Sequence, residues 1–281
     1  MANPFNAEQR RTVSLTRRDV DGFVFWTKNI GPFLEVLTEV KQRGFAFVVQ
    51  FTINGYPRAL ESRVVDAKRS VEHMRFLASQ YGSRVPVWRY DPIIISSLTP
   101  SDFHLRNFST LARELCGTTD EVVVSFMQVY RKTRHNMDEA ASEGRFDWRD
   151  PGREEKQSLL RDLSGVAAAN KMRLTVCTQP ELLVPGAGEA RCVDAQRLME
   201  IAHETFRSQL KGMRLGCGCF ESIDIGDYDT CPHGCVYCYA VRERKMALTR
   251  FQAHDPDGEY LFPHPPVAPR TKKQPSLFEP D

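Results

Sequence analysis

The sequence predicts an α/β fold, namely a full or partial (β/α) barrel of the TIM type with a cysteine-rich loop near its C-terminal end. Five apolar runs rich in β-branched and aromatic residues recur along the chain, and each is followed by a pattern of helical period. This alternation is typical of βα units built on a parallel sheet. With 281 residues, of which 41% are hydrophobic, the chain can bury one large core.

Each strand and helix of this fold has its own signal in the sequence. We expect strands near residues 22–27, 45–53, 85–90, 121–129 and 173–178. The intervening helices are expected after the first strand up to Gly44, near 65–81, from Thr99-Pro100 to Gly117, near 153–170 and near 194–210. Glycine tolerates the left-handed conformation that ends helices, proline suits a first turn, and Asp194 is a suitable N-terminal cap. Cys116, at the end of the third helix, is expected in the core.

Composition sets the domain boundaries and narrows the class of protein. Residues 1–254 are predicted to form the barrel domain with the cysteine-rich loop at 217–240, and 255–281 a tail of proline and charge without a core. A net charge of +2 gives no strong field for nucleic acid or an anionic membrane. Because no apolar run is long enough to span a bilayer and the polar start is no signal peptide, we expect a cytoplasmic protein without membrane contact. Its eight cysteines are then thiols, metal ligands or redox groups.

The run Cys231-Pro-His-Gly-Cys235-Val-Tyr-Cys238 places three thiols within eight residues. Sulfur ligands this close in sequence, with Gly234 allowing a sharp turn, suit an iron–sulfur cluster or a zinc ion. Structural zinc sites usually take four ligands from two pairs, whereas this spacing offers three and leaves a coordination position open. The spacing therefore favours an iron–sulfur cluster over zinc.

The cysteine spacing, with Tyr237 before the last cysteine, resembles the cluster motif of the radical S-adenosylmethionine superfamily. The longer run 217–240 looks like a branch of that superfamily known only as a domain of unknown function, and the motif core is similar to the spore photoproduct lyase group. The resemblance extends to Phe25-Trp-Thr-Lys-Asn29, Phe51-Thr-Ile-Asn-Gly-Tyr56 and Trp88-Arg-Tyr-Asp-Pro92. The chain departs from the superfamily by carrying its cysteines beyond residue 230, and from the branch by opening downstream of its usual first strand.

The resemblance implies an enzyme that holds a [4Fe-4S] cluster through Cys231, Cys235 and Cys238. One iron would bind S-adenosyl-L-methionine, whose reductive cleavage would start radical chemistry on an unknown substrate, with nucleic-acid repair or modification as a more specific hypothesis. An electron donor such as flavodoxin or ferredoxin would be a partner. Residues after the predicted strands, where barrel enzymes carry their chemistry, and Tyr237 are the candidate cofactor-binding side chains: Lys28, Asn54, Arg89, Asp91, Glu181 and Tyr237. Arg89 and Asp91 fit either the cofactor or an ion pair at the barrel end.

A second set of cysteines offers four ligands for an auxiliary iron–sulfur cluster: Cys177, Cys192, Cys217 and Cys219. The alternative is that these thiols are buried as small hydrophobic side chains.

Two further features of the sequence concern binding partners, namely the tail and the basic residues that follow the cysteine loop. Gln274-Pro-Ser-Leu277-Phe278 resembles the peptide by which bacterial DNA enzymes bind the DNA sliding clamp, with Gln274, Leu277 and Phe278 as contacts; the alternative is an inert tail. Basic residues after the cysteine loop fit either a phosphate backbone or a solvated helix face: Arg242, Arg244, Lys245 and Arg250. From another class, the alternative function is a non-catalytic zinc-binding interaction module.

Overall fold

The computed structural model describes residues 2–3, 6–10, 12–212 and 216–258. Its strands are β1 (Ala2–Asn3), β2 (Asn6–Arg10), β3 (Gly22–Thr27), β4 (Ala46–Thr52), β5 (Pro86–Ile93), β6 (Ile95–Ser96), β7 (Glu121–Phe126), β8 (Trp148–Arg149), β9 (Arg173–Val176) and β10 (Ala187–Glu189). Its α-helices are α1 (Leu34–Gln42), α2 (Ala67–Tyr81), α3 (Ser101–Leu115), α4 (Arg131–Gly144), α5 (Arg153–Ala169), α6 (Ala195–Ala202) and α7 (Arg244–Gln252). Most of the expected tail, including Gln274, Leu277 and Phe278, lies outside the described residues.

Six parallel strands form the central sheet in the order β3-β4-β5-β7-β9-β10. Each strand therefore lies beside the next strand of the sheet along the chain, which is the order that repeated βα crossovers produce in a barrel. The predicted α/β class and parallel sheet are confirmed. Within the described ranges the sheet is open, with β3 and β10 at its two edges, so barrel closure stays a prediction.

The main hydrophobic core lies between one face of the sheet and the helices α1, α2, α3 and α5. Trp88 of β5 stacks on Phe108 of α3 with ring centres 4.7 Å apart, and both side chains are fully buried. Strand β4 is buried on both faces along nearly its whole length. Burial of both faces explains why β4 is a continuous apolar run in the sequence instead of an alternating one.

The opposite face of the sheet carries a smaller core, built around α6 and three cysteines. Ala46, Val48, Val87 and Val123, which alternate with residues of the main core, pack there with Leu198 of α6. Cys177, Cys192 and Cys219 belong to the same core. The second set of cysteines is thus held against the sheet.

A third apolar cluster covers the carboxyl end of the strands and joins the cysteine loop to α4. Its members are Tyr56, Leu60, Ile94, Met127, Met137, Phe146 and Tyr237. Helix α4 was not predicted, because its sequence is mostly polar and only Thr133 and Met137 are buried. Helix α4 therefore packs against the cysteine loop and contributes little to the main core.

The helix predicted for 194–210 is shorter than expected. Asp194 does cap α6, accepting a hydrogen bond of 3.0 Å from Gln196 N, but the helix ends at Ala202. His203 then adopts the left-handed conformation with φ +55°, and Leu210 is exposed instead of continuing an apolar face. The expectation that Cys116 is buried is also wrong: the residue lies just past α3 and is exposed.

Candidate metal and cofactor site

The segment 229–242 forms a closed loop that carries Cys231, Cys235 and Cys238, and Asp229 closes its base. Asp229 N donates to Ala240 O over 3.0 Å, and the Arg242 guanidinium Nε lies 2.8 Å from Asp229 Oδ2. Arg242 N also donates to the Asp229 carboxylate. Because the Asp229 side chain is fully buried, these bonds fix the two ends of the cysteine loop relative to each other.

The cysteine loop is docked on residues 57–64, which follow β4. Glu61 and Cys235 form an isolated antiparallel bridge, and Val236 N donates to Leu60 O over 3.1 Å. Since the carboxyl ends of parallel strands meet at one edge of the sheet, this contact places the three thiols at that edge.

Further bonds hold the centre of the loop. Arg63 N donates to His233 O over 3.0 Å, and Ser62 Oγ donates to Gly234 O over 3.2 Å. Gly234 has φ +66°, and a Cβ atom at this position would lie 2.7 Å from Ser62 Oγ and 3.0 Å from Arg244 Cζ. The left-handed backbone conformation therefore favours glycine between the first two cysteines, and a Cβ atom there would also displace the Ser62 and Arg244 side chains.

The three thiols differ in exposure, which gives the loop an outer and an inner side. Cys231 is exposed, whereas Cys235 and Cys238 are partly buried. Burial raises the pKa of the Cys235 thiol to about 12. The nearby Lys28 charge opposes this shift but does not cancel it, so without a bound metal the Cys235 thiol stays protonated at neutral pH.

Lys28, Asn54, Glu61 and Tyr237 meet in a buried polar group, which we call the Glu61 cluster. Glu61 Oε1 accepts from Lys28 Nζ over 2.8 Å and from Asn54 Nδ2 over 3.1 Å. The Tyr237 hydroxyl donates to the same oxygen and lies 3.2 Å from Asn54 Nδ2. Burial, reinforced by the Glu61 charge, raises the pKa of Tyr237 well above its usual value, so the phenol stays protonated.

Three of the six candidate cofactor residues thus come together. Lys28 follows β3, Asn54 follows β4 and Tyr237 lies inside the cysteine loop, as the sequence indicated. Sequence reasoning missed Glu61, the acceptor that joins them, because it lies in a polar segment without periodicity. Asp229 was missed for the same reason.

Asp91 connects the Glu61 cluster to the neighbouring strand. Asp91 N donates to Asn54 Oδ1 over 2.9 Å, and the Ser125 hydroxyl of β7 donates to the Asp91 carboxylate. The Asp91-Pro92 peptide bond is cis, and Pro92 O accepts from the Tyr56 hydroxyl over 2.7 Å. Asp91, Asn54 and Tyr56 therefore form one hydrogen-bonded layer beneath the cysteine loop.

Arg89 pairs with Asp91 and faces the second set of cysteines. Arg89 Nε and Nη2 lie 3.1 Å and 2.5 Å from Asp91 Oδ2. These contacts form an ion pair, which is one of the two alternatives that the sequence predicts for these residues. Arg89 Nη1 lies 2.9 Å from Cys192 Sγ and 3.3 Å from Gln50 Oε1. The donors of this buried guanidinium are thus already bound by protein groups.

All four cysteines of the second set are neighbours. Cys177 Sγ and Cys192 Sγ are 3.5 Å apart, and the Cys219 thiol interacts with those of Cys192 and Cys217. The hydrogen bond between the Cys177 and Cys192 thiols, together with burial, raises the pKa of Cys177. Cys217 is half-buried and the other three are buried.

Glu181, the last candidate cofactor residue, is not a member of the Glu61 cluster. It lies in a short 3-10 helix (Pro180–Leu182) packed against α5, is exposed, and its backbone carbonyl accepts from Gln157 Nε2 over 3.2 Å. A position after a strand therefore does not by itself bring a residue to the Glu61 cluster. After β9 the chain forms a 3-10 helix that packs against α5.

The described residues also bear on metal binding and on membrane insertion. No three His, Cys, Asp or Glu side chains among them have the arrangement of a formed metal site. None of the helices in the described ranges has both the length and the apolar character needed to span a membrane.

Comparison with known proteins places the chain in a family. A family model described as a domain of unknown function (DUF1848) matches residues 1–240, which supports the expectation of an uncharacterised domain of unknown function. No curated protein matches the chain. Among solved structures, the chain is similar to a mannonate dehydratase from Streptococcus suis serotype 2, with 11% identity and a TM-score of 0.36, over 64% of this chain and 59% of that one. Because the family match spans most of the sequence and includes the 231–238 cysteines, the chain belongs to the DUF1848 family.

Proposed function

We propose that the protein is a radical S-adenosylmethionine enzyme that holds a [4Fe-4S] cluster through Cys231, Cys235 and Cys238. The observation that carries the proposal is the docking of the three-cysteine loop directly on the Glu61 cluster, at the carboxyl end of a parallel sheet. When bound, such a cluster supplies the electron for reductive cleavage of a carbon–sulfur bond in S-adenosylmethionine, which starts radical chemistry on a substrate.

The residues present fit this cofactor by the chemistry of their donors. Three thiols in a loop held by Gly234 supply three sulfur ligands, the preferred ligands of iron–sulfur clusters. Three ligands leave one iron for an outside molecule. A closed structural zinc site would instead need a fourth protein ligand.

The Glu61 cluster is suited to bind the amino-acid end of S-adenosylmethionine, which carries an ammonium and a carboxylate. The Lys28 side chain keeps 14% of its surface exposed and the Asp91 side chain 19%, whereas Glu61 is almost fully buried. Lys28 and Asp91 are therefore the charged groups with room for an added ligand, and Glu61 holds Lys28 in place.

The two sides of the cysteine loop have different roles in this proposal. On the inner side, Tyr237 packs in the apolar cluster with Tyr56, Ile94 and Met127, which excludes water from the reacting groups. On the outer side, Cys231 is exposed and gives an electron donor such as flavodoxin or ferredoxin a short approach.

The test is anaerobic preparation of the full chain with iron and sulfide, counting of both, and chromatography of S-adenosylmethionine after reduction by dithionite. We expect wild type and Cys116→Ala to bind iron and cleave S-adenosylmethionine, because Cys116 is exposed and remote in the fold from the loop. Cys235→Ala should lose both properties with an unchanged circular dichroism spectrum. Protein that contains zinc and no iron would overturn the proposal and favour a zinc-binding interaction module.

A further inference from the structure

The second set of cysteines lies at the ends of neighbouring strands and in the segment before the 231–238 loop. Cys177 directly follows β9, Cys192 comes three residues after β10, and Cys217 and Cys219 flank Gly218. We infer that Cys177, Cys192, Cys217 and Cys219 form a second metal site, which binds one thiophilic centre independently of the 231–238 loop.

The sulfur atoms are already neighbours. Two sulfurs bound to one zinc ion lie about 3.8 Å apart, because the Zn–S bond is about 2.3 Å, and Cys177 Sγ and Cys192 Sγ are separated by 3.5 Å. Cys219 interacts with both Cys192 and Cys217, so the four thiols form an unbroken chain of contacts. Four cysteines are the ligand set of structural zinc sites and of iron–sulfur clusters.

Hydrogen-bond donors already point to two of the sulfurs. Arg89 Nη1 donates to Cys192 Sγ over 2.9 Å, and Val193 N donates to Cys219 Sγ over 3.4 Å. Donors of this kind stabilise the negative charge of thiolate ligands and orient them toward a metal. Four packed hydrophobic thiols would not need a buried guanidinium directed at one of them.

The backbone holds the three contributing segments together. Cys177 N donates to Val124 O of β7 over 2.9 Å, and Phe220 N donates to Val193 O over 3.0 Å. Since the thiols do not yet have the arrangement of a formed site, metal binding requires them to turn about their Cα–Cβ bonds. The contacts between segments can be kept during that rotation.

The experiment uses the full chain with Cys231, Cys235 and Cys238 all replaced by Ala, so that it does not depend on the proposed function. The protein is produced with added zinc and, in a second arm, anaerobically with added iron, and bound metal and sulfide are counted. We expect one zinc ion or one iron–sulfur cluster per chain to remain, with the two arms showing which. Absence of stoichiometric metal in both arms would overturn the inference.

Variants of the remaining cysteines assign the metal. Cys217→Ser is the mildest change because Cys217 is only half-buried, and in the background without loop cysteines it should lower bound metal at least tenfold, whereas Cys116→Ala should leave it unchanged. In the background without loop cysteines, a thermal-unfolding midpoint that falls on chelation, and that no longer falls once Cys217→Ser is added, gives a readout independent of metal counting. Metal retained in full after Cys217→Ser and Cys219→Ser together would contradict the site.

Discussion

Replacing Glu61 by Gln should lower the free energy of unfolding by about 3 kcal/mol. The Glu61 side chain is only 4% exposed, and its partner Lys28 is 14% exposed. Removing one member of a buried ion pair typically costs about 3–5 kcal/mol, because the other charge is left without a partner in a poorly hydrated place. The residual exposure of Lys28 puts the expected value at the lower end of that range.

A double-mutant cycle measured by urea unfolding at constant pH separates this cause from loss of packing. Lys28→Met removes the orphaned charge at similar length, so the double variant should be more stable than the sum of the single changes by about 1–3 kcal/mol. The matched control is Glu39→Gln, whose partner Arg43 and own side chain are both more than half exposed; it should cost less than about 0.5 kcal/mol. Additivity of the two changes at Glu61 and Lys28 would refute the reasoning.

Three other positions give separate tests. Gly234→Ala should lower stability by about 1–2 kcal/mol more than Gly44→Ala and reduce bound iron, because both glycines have positive φ but only Gly234 has close neighbours; equal effects of the two in urea unfolding would contradict this. Burial lowers the pKa of His104 to about 4, below the value near 6.5 expected in the unfolded chain. The stability that the neutral His104 contributes is therefore complete above about pH 6.5 and is lost as pH falls toward 4. The loss amounts to about 3 kcal/mol of unfolding free energy. The unfolding free energy of His104→Gln should therefore depend less on pH over this window than that of wild type, and parallel curves would exclude the effect. Asp229→Asn should weaken the base of the cysteine loop and increase amide hydrogen exchange in 230–240, whereas unchanged exchange would show that the carboxylate does not hold the loop.

The sheet was predictable from sequence because its strands are buried on both faces. A run such as 46–52 lies between two layers and is mostly apolar, with Gln50 as a buried polar exception, and that composition is visible without a structure. The polar residue that follows such a run can be located by the same argument, and Lys28 and Asn54, chosen in this way, both bond to Glu61. The same rule fails for Glu181, since the chain after β9 turns into a 3-10 helix against α5.

The centre of the site was not predictable, because it depends on contacts distant in sequence. Glu61 becomes the acceptor of the polar cluster only when Tyr237, 176 residues later, folds onto it. Likewise, the apolar members of the 194–210 pattern suggested a longer helix, but Leu210 pairs with Phe220 in an isolated bridge. Local periodicity carries no information about such pairings.

The most direct measurement is electron paramagnetic resonance of the anaerobic, dithionite-reduced full chain with and without S-adenosylmethionine. If Cys231, Cys235 and Cys238 hold a [4Fe-4S] cluster with one iron open to that ligand, the reduced protein will give a signal whose g values shift when S-adenosylmethionine is added. The shift should persist in Cys116→Ala and disappear in Cys235→Ala. A cluster signal that S-adenosylmethionine leaves unchanged, or iron-replete protein without any such signal, would contradict the account.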